Sequence, residues 1–332
     1  MLIGMTYDAK DEYLAMGFTP LQVAEFDRME TIELIESTLK KLGHEVERIG
    51  HIRSLVNALA KGKRWDLVFN IAEGVGGTAR EAQIPCLLDA YEIPYTFSEP
   101  SVMMITLDKS MAKTIVRNAG LNTAPFFVAK TAADLERCDL PFPLFVKPLA
   151  EGTSKGVSEK SRVEDKKALT AKVADIIREF AQPALIETYL PGREFTVGLR
   201  GEGKDTEIIG VLEITQEEGH EPWYSYENML NDKDKLQLAK DDPKAKAAGE
   251  LARACWQVLG GRDAGRIDTR LDANGNPAFL ECNPLAGIST KAELTVLSRQ
   301  AGVSYEMLID GIVKSASKRI PQTGKSLKRA TT

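Results

Sequence analysis

Two short runs near the end of the chain limit its fold more than any other feature. Residues 265–271 read Gly-Arg-Ile-Asp-Thr-Arg-Leu and residues 277–283 read Pro-Ala-Phe-Leu-Glu-Cys-Asn, with Asp272-Ala273-Asn274-Gly275-Asn276 between them. Strand-forming runs separated by turn-forming residues make a β-hairpin. Side chains two apart on a strand share a face, so Arg266 goes with Asp268 and Glu281 with Asn283. Four polar groups can then converge. Mg²⁺ takes a few hard oxygen ligands and completes its shell with phosphate and water, so Asp268, Glu281 and Asn283 suffice without histidine. The pattern points to an enzyme that uses ATP. A hairpin with a solvated charged face has the same spacing, and spacing alone leaves both readings open.

A chain of 332 residues is too long for one small core and calls for two or three subdomains. Its net charge of −5 offers no global attraction to nucleic acid or an anionic membrane, although it is compatible with a local basic cleft for phosphates. The four cysteines, Cys86, Cys138, Cys255 and Cys282, are far apart and lack C-x-x-C spacing, which argues against a disulfide framework and against a zinc site. The first residues carry neither a basic leader nor a long apolar run, and no segment approaches the roughly 18 apolar residues of a membrane span. A cytoplasmic protein is expected, with no nucleic-acid or membrane partner.

The first hundred residues alternate strand and helix patterns: a strand at 2–7, a helix at 31–42 stopped by Gly43, a strand at 45–49, a helix at 55–60 and a strand at 67–71. Such alternation gives a parallel sheet covered by helices, with ligands at the carboxyl ends of its strands. Glu73-Gly74-Val75-Gly76-Gly77 follows one such end and is either a binding loop or a flexible turn. Residues 105–120 look helical and open a second unit, with strands at 126–129 and 144–148. Directly after the second of these comes Glu151-Gly152-Thr153-Ser154-Lys155-Gly156-Val157. It lacks the Walker order, but glycines and small hydroxyl residues can turn backbone N–H groups toward a phosphate. A helix at 164–180 and a strand at 184–189 follow, and Gly192-Arg193-Glu194 leads into a strand at 195–199. The third unit holds the hairpin and a closing helix at 305–316.

In order along the chain, Phe145-Val146-Lys147-Pro148 with the loop at 151–156, Ile186-Glu187-Thr188-Tyr189-Leu190 with Gly192-Arg193-Glu194, the hairpin, and Arg299-Gln300-Ala301-Gly302-Val303-Ser304-Tyr305 form a separated set of motifs. This set resembles the ATP-grasp superfamily and, within it, the D-alanine–D-alanine ligases, from about residue 1 to about residue 316. The resemblance implies an α/β ATP-grasp fold with an N-terminal Rossmann-like (pre-ATP-grasp) parallel-sheet domain. It places a substrate domain at 1–100, a lid subdomain at 101–195, a catalytic subdomain at 196–318 and a flexible tail at 319–332. It also implies ATP with Mg²⁺, or Mn²⁺ in its place, amino-acid or amine substrates, and a homodimer.

By the same resemblance Lys109 and Lys147 neutralise the α- and β-phosphates as point charges. Glu187 accepts the adenine amino proton, backbone groups near Leu190 close that edge, and Glu194 binds the ribose hydroxyls. Glu151, Thr153 and Ser154 belong to the loop over the phosphates. Trp223 or Tyr224 either covers the adenine face or packs in a core. Asp268, Glu281 and Asn283 hold the magnesium, while Arg266 and the backbone N–H of Gly287 receive the acyl phosphate and the oxyanion. The implied chemistry is attack of a carboxylate on the γ-phosphate followed by displacement of phosphate by an amine. A silent nucleotide-binding regulator would keep the fold without turnover, but would have no need of the oxyanion arginine.

Three departures from the family bear on substrate. The Gly-Gly-x-Ser-x-Glu signature is replaced by Thr6-Tyr7-Asp8-Ala9-Lys10-Asp11-Glu12, which leaves Glu25 as the candidate for holding the first substrate's ammonium. Glu73 stands where the family has a histidine before glycine, and Asn283-Pro284-Leu285-Ala286-Gly287-Ile288-Ser289 replaces the usual run after the hairpin. The hydroxyl residue that receives the second substrate's carboxylate becomes Ala292 beside Glu293, and the segment Tyr226-Glu227-Asn228-Met229-Leu230 lacks the family's lysine and tyrosine. Glu73 and Glu293 at the acceptor end would favour a substrate with added positive charge and disfavour a free α-carboxylate. The other reading of these two acids is a solvated surface. A ligase with altered acceptor specificity is therefore expected, with a true D-alanine–D-alanine ligase as the alternative.

Overall fold

The computed structural model describes residues 1–216 and 234–321. The first strand, β1 (Leu2–Tyr7), is buried along nearly its whole length, as suits a parallel strand covered on both faces. A short helix, α1 (Lys10–Ala15), precedes α2 (Met29–Lys41), which buries Ile32, Ile35 and Leu39 along one stripe. Next come β2 (Glu45–Gly50), α3 (Ile52–Ala60), β3 (Leu67–Ile71) and α4 (Gln83–Ala90). The strands run parallel in the order β2-β1-β3, the α/β arrangement that the alternation predicts.

The helix expected over 105–120 is two helices, α5 (Pro100–Leu107) and α6 (Lys109–Asn118). Asp108 breaks them. Its backbone is extended and its carboxylate accepts from the N–H groups of Ser110 and Met111, so it caps the second helix rather than continuing the first. The break puts Lys109 in the first turn of α6 and Lys113 one turn later on the same face. Ala112 and Val116 of this helix share a core with Val197, Leu199, Trp256 and Phe279.

The middle of the chain forms β4 (Phe126–Ala129), β5 (Leu144–Pro148), β6 (Arg162–Val163), α7 (Lys166–Phe180) and β7 (Ala184–Thr188). Its strands make an antiparallel sheet in the order β4-β7-β5-β6, and α7 packs on it through Leu169, Val173 and Ile176. The remainder comprises β8 (Glu194–Arg200), β9 (Glu207–Gln216), β10 (Asp234–Leu238), α8 (Pro243–Leu259), β11 (Ala264–Leu271), β12 (Pro277–Asn283), α9 (Glu293–Gln300) and α10 (Tyr305–Ser317). These strands pair antiparallel in the order β10-β9-β8-β11-β12.

The closing helix does more than finish the last unit. Leu308, Ile309, Ile312 and Val313 of α10 lie in one core with Ile3 and Met5 of β1 and Ile32 of α2. Arg319, expected in a loose tail, is instead held: it pairs with the buried carboxylate of Asp263 at 2.6 Å and donates to the Tyr95 carbonyl at 2.8 Å. Burying Asp263 without a cation would be costly, which fixes the arginine there. Among the described residues no helix is long and apolar enough to cross a membrane.

Candidate active site

The hairpin register sets the centre of the site. Across β11 and β12, Arg266 lies opposite Asn283 and Asp268 opposite Glu281, so the four side chains singled out by spacing share one face. The Asn283 amide donates to Asp268 Oδ2 at 3.2 Å and to Glu281 Oε1 at 3.5 Å. Arg266 Nη1 and the Thr196 hydroxyl also donate to Asp268. Burial raises the Asp268 carboxyl to about 6, with Arg266 opposing the rise and Glu281 adding to it. Burial would raise Glu281 as well, but the charges of Lys109, Lys147 and Arg266 hold it at about 2. A buried carboxylate, Asp268, and a half-buried one, Glu281, thus face one another with only N–H and O–H donors between them. A 180° turn of the Asn283 amide, whose oxygen and nitrogen are near-equivalent in shape, would present a third oxygen. This donor set fits a small divalent cation.

Around that centre lie the lysines. Lys109 Nζ is 3.4 Å from Glu281 and donates to the Glu151 carbonyl at 2.5 Å. Lys147 on β5 reaches Glu187 on β7 at 2.9 Å, and Lys113, wholly buried, reaches the other oxygen of Glu187 at 2.5 Å. Burial works to raise Glu187, yet the two lysines hold it at about 2. The carboxylate expected to receive an adenine amino group therefore already carries a lysine on each oxygen. Lys113 was not anticipated from sequence, although its spacing of four from Lys109 was a readable signal. Arg270, which pairs with Glu194 at 2.9 Å, was also missed, although it continues the alternation Arg266, Asp268, Arg270 on β11. Leu190, Ala124 and Leu280 give the same cavity an apolar patch.

The loop after β5 closes one side. Thr153 and Ser154 both stand at a φ of +52° and line the cavity. Glu25, Glu73 and Glu81 of the first unit line it too, as do Glu293 and Gly287 of the last. Glu25 accepts from the Gly152 N–H at 2.7 Å and pairs with Arg80 and Lys155, each at 3.2 Å. Burial, together with the negative charges of Glu81 and Glu25, pushes the Glu73 carboxyl well up. Burial likewise pushes Glu81 up to about 7, against the pull of Arg80. Glu81 is another residue that sequence reasoning passed over. Glu293 lies 3.9 Å from Arg266 Nε, so its carboxylate turns toward the hairpin cluster. Ala292 does not line the cavity. It caps α9 and sits behind Gly287, its Cβ 3.5 Å from where a side chain at Gly287 would begin. Trp223, Tyr224 and the segment 226–230 fall outside the described residues. All the other expected site residues, drawn from three units of the chain, line this one cavity.

Comparisons with known proteins identify the family and the fold. The family model described as D-ala D-ala ligase C-terminus matches residues 115–314. A D-alanine–D-alanine ligase of Bordetella petrii is 31% identical over 273 residues, spanning 81% of this chain and 80% of its own length. An uncharacterized protein of Sinorhizobium fredii, y4sG, is 32% identical over 302 residues, spanning 86% of this chain and 87% of its own length. In fold, the chain resembles the crystal structure of a D-alanine–D-alanine ligase from Bacillus anthracis complexed with ATP, with a TM-score of 0.73 at 20% identity over 96% of this chain and 98% of that one. It also resembles the VanG D-Ala:D-Ser ligase of Enterococcus faecalis, with a TM-score of 0.72 at 17% identity over 95% of this chain and 99% of that one.

Proposed function

The chain belongs to the D-alanine–D-alanine ligase family and has the ATP-grasp fold, and on that premise we propose that it joins a carboxylic acid to an amine using ATP, with an acceptor that carries positive charge in place of the free α-carboxylate of D-alanine. In the first step a carboxylate oxygen attacks the γ-phosphorus and ADP leaves. In the second the amine nitrogen attacks the carbonyl carbon and phosphate leaves. Both steps gather negative charge on oxygens, so cations and N–H groups already in place do most of the work. Lys109 and Lys147 serve the phosphates, and Arg266 with the Gly287 N–H serves the acyl group. A divalent cation on Asp268, Glu281 and Asn283 would supply further charge neutralisation when bound. The all-oxygen set favours Mg²⁺, with Mn²⁺ able to replace it.

The observation that carries the acceptor reading is the half-buried pair Glu73 and Glu81 in the cavity wall. Arg80, whose charge opposes the rise at both, is engaged by Glu25. An entering cation would settle both acids in their charged forms, whereas a carboxylate would meet repulsion after losing its water. Glu293 adds a third acid beside Arg266. A panel of amines with MgATP, read by ADP release and product mass, tests this: a diamine should give an amide and D-alanine should be a poor acceptor. Because Ala292 stands behind Gly287 and outside the cavity, the variant to test is Glu293→Leu alone, which should gain activity with D-alanine. If the wild-type protein condenses two D-alanines at a turnover of about 1 to 10³ per second, the acceptor reading is wrong and the chain works as its named relatives do. A homodimer is the expected assembly, and light scattering checks it.

A further inference from the structure

We propose that Glu25, Arg80 and Lys155 form a latch by which the first unit holds the phosphate-covering loop closed and, resting on the ligase reading above, that this latch keeps water from the acyl phosphate. Glu25 comes from the segment between α1 and α2, far from the loop in sequence, yet its carboxylate accepts from the Gly152 N–H at 2.7 Å and from Lys155 Nζ at 3.2 Å. Arg80 grips the same carboxylate, with Nη2 3.3 and 3.2 Å from its two oxygens, and its Nη1 donates to the Ala150 carbonyl at 3.0 Å. The two residues thus hold the loop at Ala150, Gly152 and Lys155. All three side chains are less than a tenth exposed, so water competes little for these contacts.

Two features of the loop show that it is shaped for this tie. A Cβ on Gly152 would lie 2.4 Å from Glu25 Oε1, so only glycine allows the approach. Thr153 and Ser154 both take left-handed backbone angles, which residues with a Cβ adopt against steric resistance. A loop in that shape needs an outside hold, and the latch provides it. With Arg80, Lys155 and Gly152 already on its oxygens, Glu25 acts as a positioning residue rather than as the receiver of a substrate ammonium.

An acyl phosphate left open to solvent is attacked at its carbonyl carbon by water. The carbon–oxygen bond to phosphate breaks, phosphate leaves and the acid is regenerated, so the net reaction is ATP plus water to ADP plus phosphate. A loosened latch therefore shows as ADP released without amide. The full-length protein, MgATP and the most productive acid–amine pair of the panel give the readout: ADP and amide from one reaction. Wild type should yield one ADP per amide, while Arg80→Met and Lys155→Met should yield several ADP per amide, and Arg80→Lys should recover part of the coupling. Hydrogen exchange of residues 151–157 should be several-fold faster in both methionine variants, whether or not a productive pair has been found. If Arg80→Met does not fold, Lys155→Met gives the same two readings. Unchanged exchange in that segment, or ADP and amide falling in equal proportion, overturns the latch. A wild type that turns over with no amine, together with faster loop exchange in the variants, overturns the ligase reading and leaves the latch standing.

Discussion

Replacing Lys113 by methionine should weaken both the fold and the hold on nucleotide. Lys113 and Lys147 stand 2.5 and 2.9 Å from the two oxygens of Glu187. At an effective dielectric near 20 these separations correspond to gross attractions of roughly 7 and 6 kcal/mol, so either lysine provides about half of the compensation for the buried carboxylate. Lost hydration and repulsion between the two ammonium groups cancel most of that attraction. Breaking a buried ion pair costs about 3–5 kcal/mol net, and because Lys147 remains in place the cost here should be near the lower end, about 3 kcal/mol. Methionine keeps much of the buried stem, so little of the loss should come from packing. With its competitor gone, Lys147 is drawn more firmly to Glu187 and away from phosphate, and the KM for ATP should rise about tenfold, or about 1.4 kcal/mol. Urea unfolding and initial rates at varied ATP measure the two effects. The double variant Lys113→Met, Glu187→Gln should cost less than the sum of its singles. An unfolding free energy within about 0.5 kcal/mol of wild type, the range of an ordinary surface change, would refute the assignment of Lys113 as a partner of Glu187.

Glu281→Ala should abolish MgATP turnover with the circular dichroism spectrum unchanged, and near wild-type turnover would remove the hairpin metal site. Arg266→Lys should keep nucleotide affinity and lose about 10²-fold in rate, since lysine cannot reproduce a preorganised guanidinium fork; an equal loss of affinity would make Arg266 a binding residue. Glu81 titrates near 7 in the fold against an ordinary value near 4.3, so between those pH values the folded form holds a proton that the unfolded form has lost. Stability should therefore fall as pH rises through that window and level off above it. Glu81→Gln should flatten this part of the urea-midpoint profile, and an unaltered slope would remove Glu81 as its source.

The elements that sequence made readable are those whose signal is local. The hairpin was readable because strand periodicity and a turn cluster coincide, and its register brought Arg266, Asp268, Glu281 and Asn283 to one face. The parallel strands at 2–7 and 67–71 were readable as short apolar runs. The break at Asp108 was not, because apolar residues continue past it while a single carboxylate caps a new helix. Helix α8 was passed over although Asp242 and Pro243 mark its start and Gly260 its end. In the site, hard-ligand chemistry pointed to the metal set, but pairing across elements lay beyond any one segment. That Glu187 carries two lysines, and that Glu25 reaches a loop 127 residues away, depends on how the sheets come together. Glu81 gave no sign at all in sequence, since its perturbation comes from burial among charges supplied by other segments.

The core shared by β1, α2 and α10 sets the order in which this molecule can be completed. The strand β1 packs against a helix that is made far later in translation, so the opening hundred residues wait, with part of their apolar face uncovered, until α10 has emerged. A chain stopped at residue 300 should bind a hydrophobic dye and fall to proteases early, and a synthetic peptide spanning Tyr305–Ser317 supplied in trans should reverse both. Damage to α10 would then be felt first at β1 and β3, whose sheet leads into the cavity wall at Glu73.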